Sequence, residues 1–175
     1  MGNEHQLQPK RHYTYVGPAD ILQRIDPESE RFFIKAKADV VSWCTANTSK
    51  QREAIPATFI IDVKENLLIA DRRSEHVACA RGNDVLSAGE MFILLRGGDV
   101  EIVEVSNQST GYCPEPESWD VVKLVLDRLQ IKHPQQFTAS FTFRRCDSCS
   151  STNIVKEGIF ECAVCGSPLS EEWNF

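Results

Sequence analysis

Hydrophobic positions early in the chain follow the period of a helix. Five apolar side chains recur at helical spacing: Phe32, Phe33, Ala36, Val40 and Trp43. Asp26-Pro27-Glu28 is a typical helix start, since Asp caps free amides, Pro suits the first turn and Glu opposes the positive end of the dipole. The pattern therefore predicts a helix that starts at Asp26, buries one face and ends near Asn47, after a shorter helical piece at residues 19–25.

Further along, the period changes to that of β-strands. Apolar, β-branched runs at residues 58–63 and 67–70 flank a polar turn. Runs at residues 91–95 and 100–105 flank Gly97-Gly98, which supplies the positive φ angles of a tight hairpin turn. The pattern predicts two pairs of adjacent strands.

The last third of the chain returns to a helix and then to a strand. At residues 117–129 the large apolar side chains share one helical face, and Pro134 blocks any continuation. Apolar and polar residues then alternate strictly at residues 137–144, with three phenylalanines and Ala139 on one side and Arg144 on the other. This alternation predicts a half-buried strand.

Four cysteines near the C-terminus form two Cys-x-x-Cys pairs, Cys146/Cys149 and Cys162/Cys165, separated by twelve residues. This spacing is typical of a zinc ribbon, in which each pair occupies a tight turn and points both sulfurs at one Zn²⁺. Four thiolates complete the coordination tetrahedron, so the predicted role of the zinc is structural. Two disulfides, or a redox-active Cys-x-x-Cys, are the alternative interpretations.

Together these patterns predict an α+β fold: a small mixed or antiparallel sheet with flanking helices, followed by the C-terminal zinc ribbon. The predicted organisation is a loose N-terminal tail at residues 1–12, an α+β domain at 13–136 and the ribbon at 137–175. Because the strand at 137–144 leads directly into the first cysteine pair, we expect the ribbon to pack on the main domain.

Charge and cysteine usage restrict the partners and the compartment. The chain has 19 Lys and Arg against 25 Asp and Glu, a formal net charge of −6, which disfavours binding to nucleic acid through bulk electrostatics. It has no apolar run long enough to span a membrane and no signal-peptide pattern. Cys44, Cys79 and Cys113 leave an odd remainder beyond the four ligands, which is typical of the reducing cytoplasm. Cys44 and Cys79 follow apolar residues and are expected in the core.

Two polar segments follow predicted strands and are the candidate ligand-binding loops. The first contains Arg72, Arg73 and His76, and the second, which leads into a helix N-terminus, contains the following residues: Ser109, Thr110, Tyr112 and Cys113. Arginines and free amides at a helix N-terminus both attract anions. The sequence therefore predicts that these residues line one concavity that binds an anionic group. Capping and turn roles, with the arginines paired to surface acids, are the alternative.

Cys113 is also a candidate nucleophile. A thiol near a helix N-terminus can have a lowered pKa, and His76 with Glu75 can complete a Cys-His-acid arrangement if the loops meet. The alternative is an inert cysteine between Tyr112 and Pro114.

The strings that carry a resemblance are Ser74-Glu75-His76, residues 85–90, a glycine-containing hairpin and residues 109–114. They resemble a segment of plant IQ-motif calmodulin-binding proteins with the pattern His-Ser-Ser, Ala-Ala-Gly, Ser-Gly-His-Tyr-x-Pro. Arg73 replaces the leading His and Thr110-Gly111-Tyr112 replaces Gly-His-Tyr; no IQ motif is visible, so calmodulin binding is not implied. The chain is also similar to uncharacterised bacterial proteins that end in a zinc ribbon with four cysteine ligands. The resemblances imply only that the two loops lie close together.

Three functions follow as hypotheses. The first is a zinc-containing cytoplasmic binding or regulatory module that recognises an anionic small ligand or a protein partner. The second is an enzyme that acts on a phosphate- or nucleotide-containing substrate with His76, Glu75 and Cys113. The third is nucleic-acid binding by the ribbon, for which Arg144, Arg145 and Lys156 are the only basic residues.

Overall fold

A five-stranded sheet lies at the centre of the fold. The structure is a computed structural model that describes residues 10–47 and 53–175. The sheet strands are, in chain order, β1 Phe32–Ile34, β2 Ile55–Asp62, β3 Leu67–Asp71, β4 Val85–Arg96 and β5 Asp99–Val105. Their order across the sheet is β1-β3-β2-β4-β5, and every neighbouring pair is antiparallel. The predicted α+β class, both predicted strand pairs and the Gly97-Gly98 turn are confirmed.

Helices and loops cover the sheet on both sides. The helices are α1 Ala19–Gln23, α2 Lys37–Asn47, α3 His76–Ala80 and α4 Trp119–Arg128, and a 3-10 turn at Pro116–Ser118 leads into α4. Alternate residues of β2 belong to different cores: Phe59 packs with α2 and α4, whereas Ile60 packs with Val77 of α3 and with Tyr13. This alternation follows from the two-residue period of a strand. Cys44 and Cys79 lie in these cores, as predicted.

The helix predicted from Asp26 is wrong at its start. Asp26 does accept a hydrogen bond from the Glu28 amide, but no helix follows this turn. The helix α2 begins only at Lys37. Phe32 and Phe33 instead form an edge strand that pairs with β3 and leaves them 42% and 45% exposed. Strand pairing with a segment distant in sequence therefore overrides the helical spacing. The predicted helical piece at 19–25 agrees with α1, and α2 extends to Asn47. The residues directly after Asn47 lie outside the described part of the chain, so the predicted stop there stays a prediction.

The strand predicted at residues 137–144 is only partly present. The regular strand β6 is Thr142–Arg145, which pairs with β7 Thr152–Val155. Upstream, the Thr138 amide donates to the Val105 carbonyl at 2.8 Å, so this stretch follows the edge of β5. Ala139, predicted to be buried, is exposed, and Arg144, predicted on the polar side, is buried. The alternation fails because the chain changes partner from β5 to β7 within it.

In the part of the chain that the structure describes, none of the helices combines the length and the apolar content needed to span a membrane.

Gly89 of β4 is a point of close backbone approach. A Cβ atom at this position would lie 1.8 Å from the carbonyl oxygen of Ser106, at the start of the second candidate loop. We expect Gly89→Ala to lower the free energy of unfolding by about 3 kcal/mol, because backbone cannot yield as a flexible side chain does. Urea denaturation measures this change.

Gly97→Ala is the matched control for this prediction. No atom would lie within 4 Å of its Cβ, and only its φ of +57° is unfavourable for alanine. We expect a cost of about 1 kcal/mol there. Equal losses in the two variants would contradict the role assigned to Gly89.

Candidate metal centre and adjoining loops

The two Cys-x-x-Cys pairs sit in turns with the same backbone geometry. In the first turn, the Cys146 amide donates to the Ser151 carbonyl at 2.9 Å, and the Ser150 amide donates to the Cys146 carbonyl at 2.8 Å. The second turn repeats both bonds at residues 162, 166 and 167, at 2.8 and 2.9 Å. The residue after each pair has a positive φ, 61° at Ser150 and 71° at Gly166. These turns direct both sulfurs of each pair to the same side.

The four cysteine sulfurs converge on one point. They all lie within 4.8 Å of one another. Two of the separations, Cys146 to Cys165 and Cys149 to Cys162, are 3.6 Å and join one turn to the other. Because a disulfide bond is only about 2.05 Å long, the thiols are free and the two-disulfide alternative is not what the structure contains. This set of four sulfurs can hold a metal ion.

Hydrogen bonds around Cys162 favour its thiolate. Its Sγ lies 3.3 Å from the Ser151 hydroxyl, accepts from the Val164 amide at 3.4 Å and lies 3.6 Å from Asn153 Nδ2. The Ser151 hydrogen bond is the largest cause that lowers the pKa of Cys162, to about 5. A thiolate, not a thiol, is the form that binds metal ions.

Asn153 is a buried residue that the sequence patterns did not single out. Its Nδ2 donates to the Ser151 carbonyl at 3.0 Å, and its Oδ1 accepts from the Ala163 amide at 2.9 Å. It therefore ties β7 to both cysteine turns. The sequence held a signal for this role in β7, because strand residues alternate between the two faces. There the polar Asn153 is buried and the apolar Ile154 is exposed, whereas apolar residues usually occupy the buried face.

A buried ion pair joins the ribbon to the main part of the chain. Arg144 donates to both oxygens of Glu115, at 2.7 and 3.1 Å, and also to the Glu171 carbonyl at 2.7 Å. The Arg144 side chain is only 4% exposed. The hypothesis that Arg144 contacts nucleic acid therefore meets a physical obstacle, since its guanidinium is already engaged and is out of solvent.

The C-terminal tail after the ribbon returns to the first residues described. Trp173 Nε1 donates to the Cys113 carbonyl at 2.8 Å, and its ring meets Tyr13 edge-on at 5.7 Å. Asn174 fixes the tail to β6 by bonds to the Arg145 amide and carbonyl at 2.9 and 2.7 Å. The ribbon segment thus contacts the main part of the chain through both its entry strand and its tail.

The residues predicted to line one anion-binding concavity differ in exposure. Arg72, Arg73 and Thr110 are exposed, whereas Ser109 is buried. Tyr112 is fully buried, with its hydroxyl donating to the Asn83 carbonyl at 2.9 Å, and burial raises its pKa.

Cys113 is also fully buried. Its thiol lies 3.4 Å from the Thr110 carbonyl, and burial raises its pKa to about 12. An open cavity therefore cannot include Tyr112 or Cys113 in this structure. The lowered pKa expected of a nucleophile is not found.

His76 is half-buried, and Glu75 beside it is exposed. The imidazole Nε2 lies 2.9 Å from the Gly89 carbonyl, so Nε2 carries the hydrogen and donates it. Burial lowers the pKa of His76, which leaves the ring neutral at pH 7.

Tyr15 lies between the two candidate loops. Its ring meets that of Tyr112 edge-on at 5.8 Å, and the next residue, Val16, donates its amide to the Gly111 carbonyl at 2.7 Å. Burial and then the charge of Glu75 raise the pKa of Tyr15. Parts of both loops therefore border the N-terminal segment, which covers the second loop.

Asn107 at the start of the second loop has a structural role. Its Nδ2 donates to the carbonyls of Pro114 and Phe141, at 2.8 and 2.7 Å, and its Oδ1 accepts from the Phe141 amide at 2.8 Å. The side chain is fully buried. It joins the loop to the segment that leads into the ribbon.

Two clefts lie near these elements. The smaller, about 290 Å³, lies between α1 and α3 and includes Glu75. The larger, about 870 Å³, lies between the N-terminal segment, the start of α4 and the C-terminal tail. Of the described residues that line them, none is Arg72, Arg73, His76 or Cys113.

Comparisons of the chain with protein-family models, with curated proteins and with solved structures found no match. The resemblances drawn from the sequence therefore stay predictions.

The buried ion pair makes a quantitative prediction. We expect Glu115→Leu to lower the free energy of unfolding by about 3–5 kcal/mol, because it leaves the Arg144 charge buried without a partner. The double variant Glu115→Leu/Arg144→Met should recover most of this loss, since it removes both charges. Urea denaturation of the two variants and of the parent measures the difference. A double variant no more stable than the single one would contradict the ion pair as the cause.

Proposed function

We propose that this chain is a non-enzymatic binding module whose C-terminal ribbon is held by one structural zinc ion. The convergence of the four cysteine sulfurs is the observation that carries the proposal. Thiolates bound to Zn²⁺ at about 2.3 Å in a tetrahedron lie about 3.8 Å apart. The separations of 3.6 Å between Cys146 and Cys165 and between Cys149 and Cys162 fit this value with little adjustment. An all-sulfur tetrahedral set favours zinc or iron over calcium or magnesium.

A structural role for the ion follows from the ligand set and from the size of the ribbon core. Four sulfurs fill a tetrahedron and leave no position for water or substrate. The buried apolar cluster of the ribbon consists of Cys146, Cys162 and Leu169, with Val155 and Phe160 packed against it. So small a core cannot offset the conformational entropy of the segment, so metal binding must supply part of its folding free energy.

The enzyme hypothesis has less support. A nucleophilic cysteine needs access and a thiolate, whereas Cys113 is fully buried and its pKa is raised to about 12. His76 Nε2 is engaged by a backbone carbonyl. We therefore favour binding over catalysis.

A protein is the partner that we favour. Nucleic acid is disfavoured by the net charge of −6 and by the burial of Arg144. An anionic small ligand at Arg72 and Arg73 stays a second candidate, because both are exposed and, within residues 10–47 and 53–175, form no ion pair. We expect the protein to act in a reducing compartment such as the cytoplasm, where all seven cysteines stay free.

Metal content tests the zinc proposal directly. We expect elemental analysis to find about one zinc per chain and Cys146→Ala to lose it, because three sulfurs bind the ion more weakly than four. Cys44→Ala is the matched control, since it also removes a fully buried thiol and should keep the metal. Near-ultraviolet circular dichroism, compared between the parent and its Trp173→Phe variant, reports whether the tail stays in place. A purified chain that carries no metal, or carries iron, would contradict zinc.

Alkylation separates the binding module from the enzyme. At neutral pH we expect iodoacetamide to leave Cys113 unmodified in the zinc-loaded protein, because burial keeps it in the thiol form and out of reach. The same cysteine should react once the chain is unfolded in urea. Peptide mass spectrometry measures the modified fraction of Cys113 in the folded and in the unfolded chain. Rapid modification of Cys113 in the folded protein would favour the enzyme instead.

A further inference from the structure

The larger cleft is a groove whose walls come from three distant parts of the chain. Its volume is about 870 Å³. Lys10, Arg11 and Tyr13 contribute one wall, the start of α4 contributes the second, and Glu172 and Trp173 of the tail contribute the third. The groove therefore exists only when the ribbon tail is docked.

The groove has an apolar floor with one accessible anchor point. Tyr13, Leu86 and Val121 line it and are buried. Leu124, one turn along α4 from Asp120, also lines it but is 46% exposed. A partner side chain placed over Leu124 would remove this apolar surface from water.

The charges on the groove lining are not balanced. Glu117, Asp120 and Glu172 are exposed, and within the described part of the chain no cation or hydrogen-bond donor contacts their carboxylates.

The other charged groups on the lining are already engaged. Lys10 pairs with Glu65, the Arg11 guanidinium lies over the Trp173 ring at 5.4 Å, and Glu115 is held by Arg144. A cation–π contact leaves the guanidinium charge in place, so Arg11 offsets one of the three free carboxylates, and a net charge of −2 remains around the apolar floor. Asp120 lies in the first turn of α4.

We propose that this groove binds an extended segment of a partner protein in which lysine or arginine residues flank an aliphatic side chain. The proposal rests on the binding function proposed above and adds the place and the chemistry of recognition. The aliphatic side chain would cover Leu124, and the long basic side chains would reach the three carboxylates while their methylene stems pack along the floor. Anionic ligands, nucleic acid and anionic membranes are repelled by the same carboxylates.

Binding in this groove depends on the metal site through the tail. Glu172 and Trp173 follow the last cysteine within ten residues and are held by the Trp173 bond to the Cys113 carbonyl and the Arg144 bond to the Glu171 carbonyl. Loss of the ion would release the ribbon and remove this wall. Metal binding and partner binding therefore strengthen each other by the same free energy.

Fluorescence anisotropy with a defined peptide tests the proposal on the full-length, zinc-loaded chain. The probe is a fluorescein-labelled Lys-Leu-Lys-Leu-Lys peptide, and Glu-Leu-Glu-Leu-Glu is the peptide of opposite charge. We expect the basic peptide to bind, the acidic one not to bind, and salt to weaken the complex. Glu117→Gln/Asp120→Asn/Glu172→Gln should weaken binding about tenfold, at the usual strength of three exposed charge pairs.

A matched variant controls for net charge. Glu28→Gln/Glu104→Gln/Glu157→Gln removes the same number of exposed carboxylates from outside the groove, and we expect it to bind the peptide as the parent does. Leu124→Ala should weaken binding without a charge change, and removal of the metal by a chelator should weaken it as well.

The outcomes separate this proposal from the proposed function. No binding of the basic peptide at ~1 mM, or equal affinities of the groove and control variants, would overturn the groove assignment. If the same samples contain zinc and are folded, the zinc-containing module stands and only the groove is lost. A chain that binds the peptide in the groove but contains no zinc would overturn the metal and leave the groove.

Discussion

Four cysteine sulfurs within 4.8 Å of one another are the constraint on which the C-terminal part of the fold depends. Thiolates this close repel one another, so a cation between them turns the arrangement from unfavourable to favourable. The surrounding apolar cluster is small, and hydrogen bonds from Ser151 and Val164 to Cys162 favour the charged form of that sulfur. The C-terminal tail leaves the second pair at this cluster and is then held by its own bonds to the Cys113 carbonyl and to Arg145.

The ribbon meets the rest of the chain through buried polar contacts as well as through the apolar packing of Phe137 and Trp173. Arg144 bonds Glu115, Asn107 bonds the backbone of Phe141, and Trp173 bonds the Cys113 carbonyl. Each contact demands a particular geometry, because a buried donor or acceptor that loses its partner costs about 1–3 kcal/mol. An interface of this kind has one favourable orientation, whereas an apolar patch can slide. This explains how a ribbon with so small a core can hold one wall of a groove in a fixed place.

Much of the fold was predictable because its signals are local. The strand periods, the Gly97-Gly98 turn and the cysteine spacing each lie within a short window of sequence, and all agree with the structure. The failures concern contacts between distant residues. Phe32 joins β3 by pairing that helical spacing cannot reveal, and Arg144 is buried because Glu115, 29 residues earlier, neutralises it. Tyr112 is buried under Tyr15, near the segment that the sequence assigned to a loose tail.

The difference between local signals and contacts between distant residues also decides the charge of the groove. Counting arginines along the sequence suggested a positive spot at one loop, but a surface attracts or repels through the charges that stay unpaired after folding. Lys10 and Glu115 each have a partner of opposite charge, so they add little to the field in the groove. Arg11 lies over the neutral Trp173 ring, so it keeps its charge and offsets one of the three free carboxylates. The negative charge left there comes from the 3-10 turn and the first turn of α4 and from the tail, and no short stretch of sequence contains both regions. The apolar walls of the groove have a low dielectric constant, so they screen this residual field less than open solvent does. The sign of the recognition surface is therefore a property of the tertiary structure, set by which acids the fold leaves without a cation.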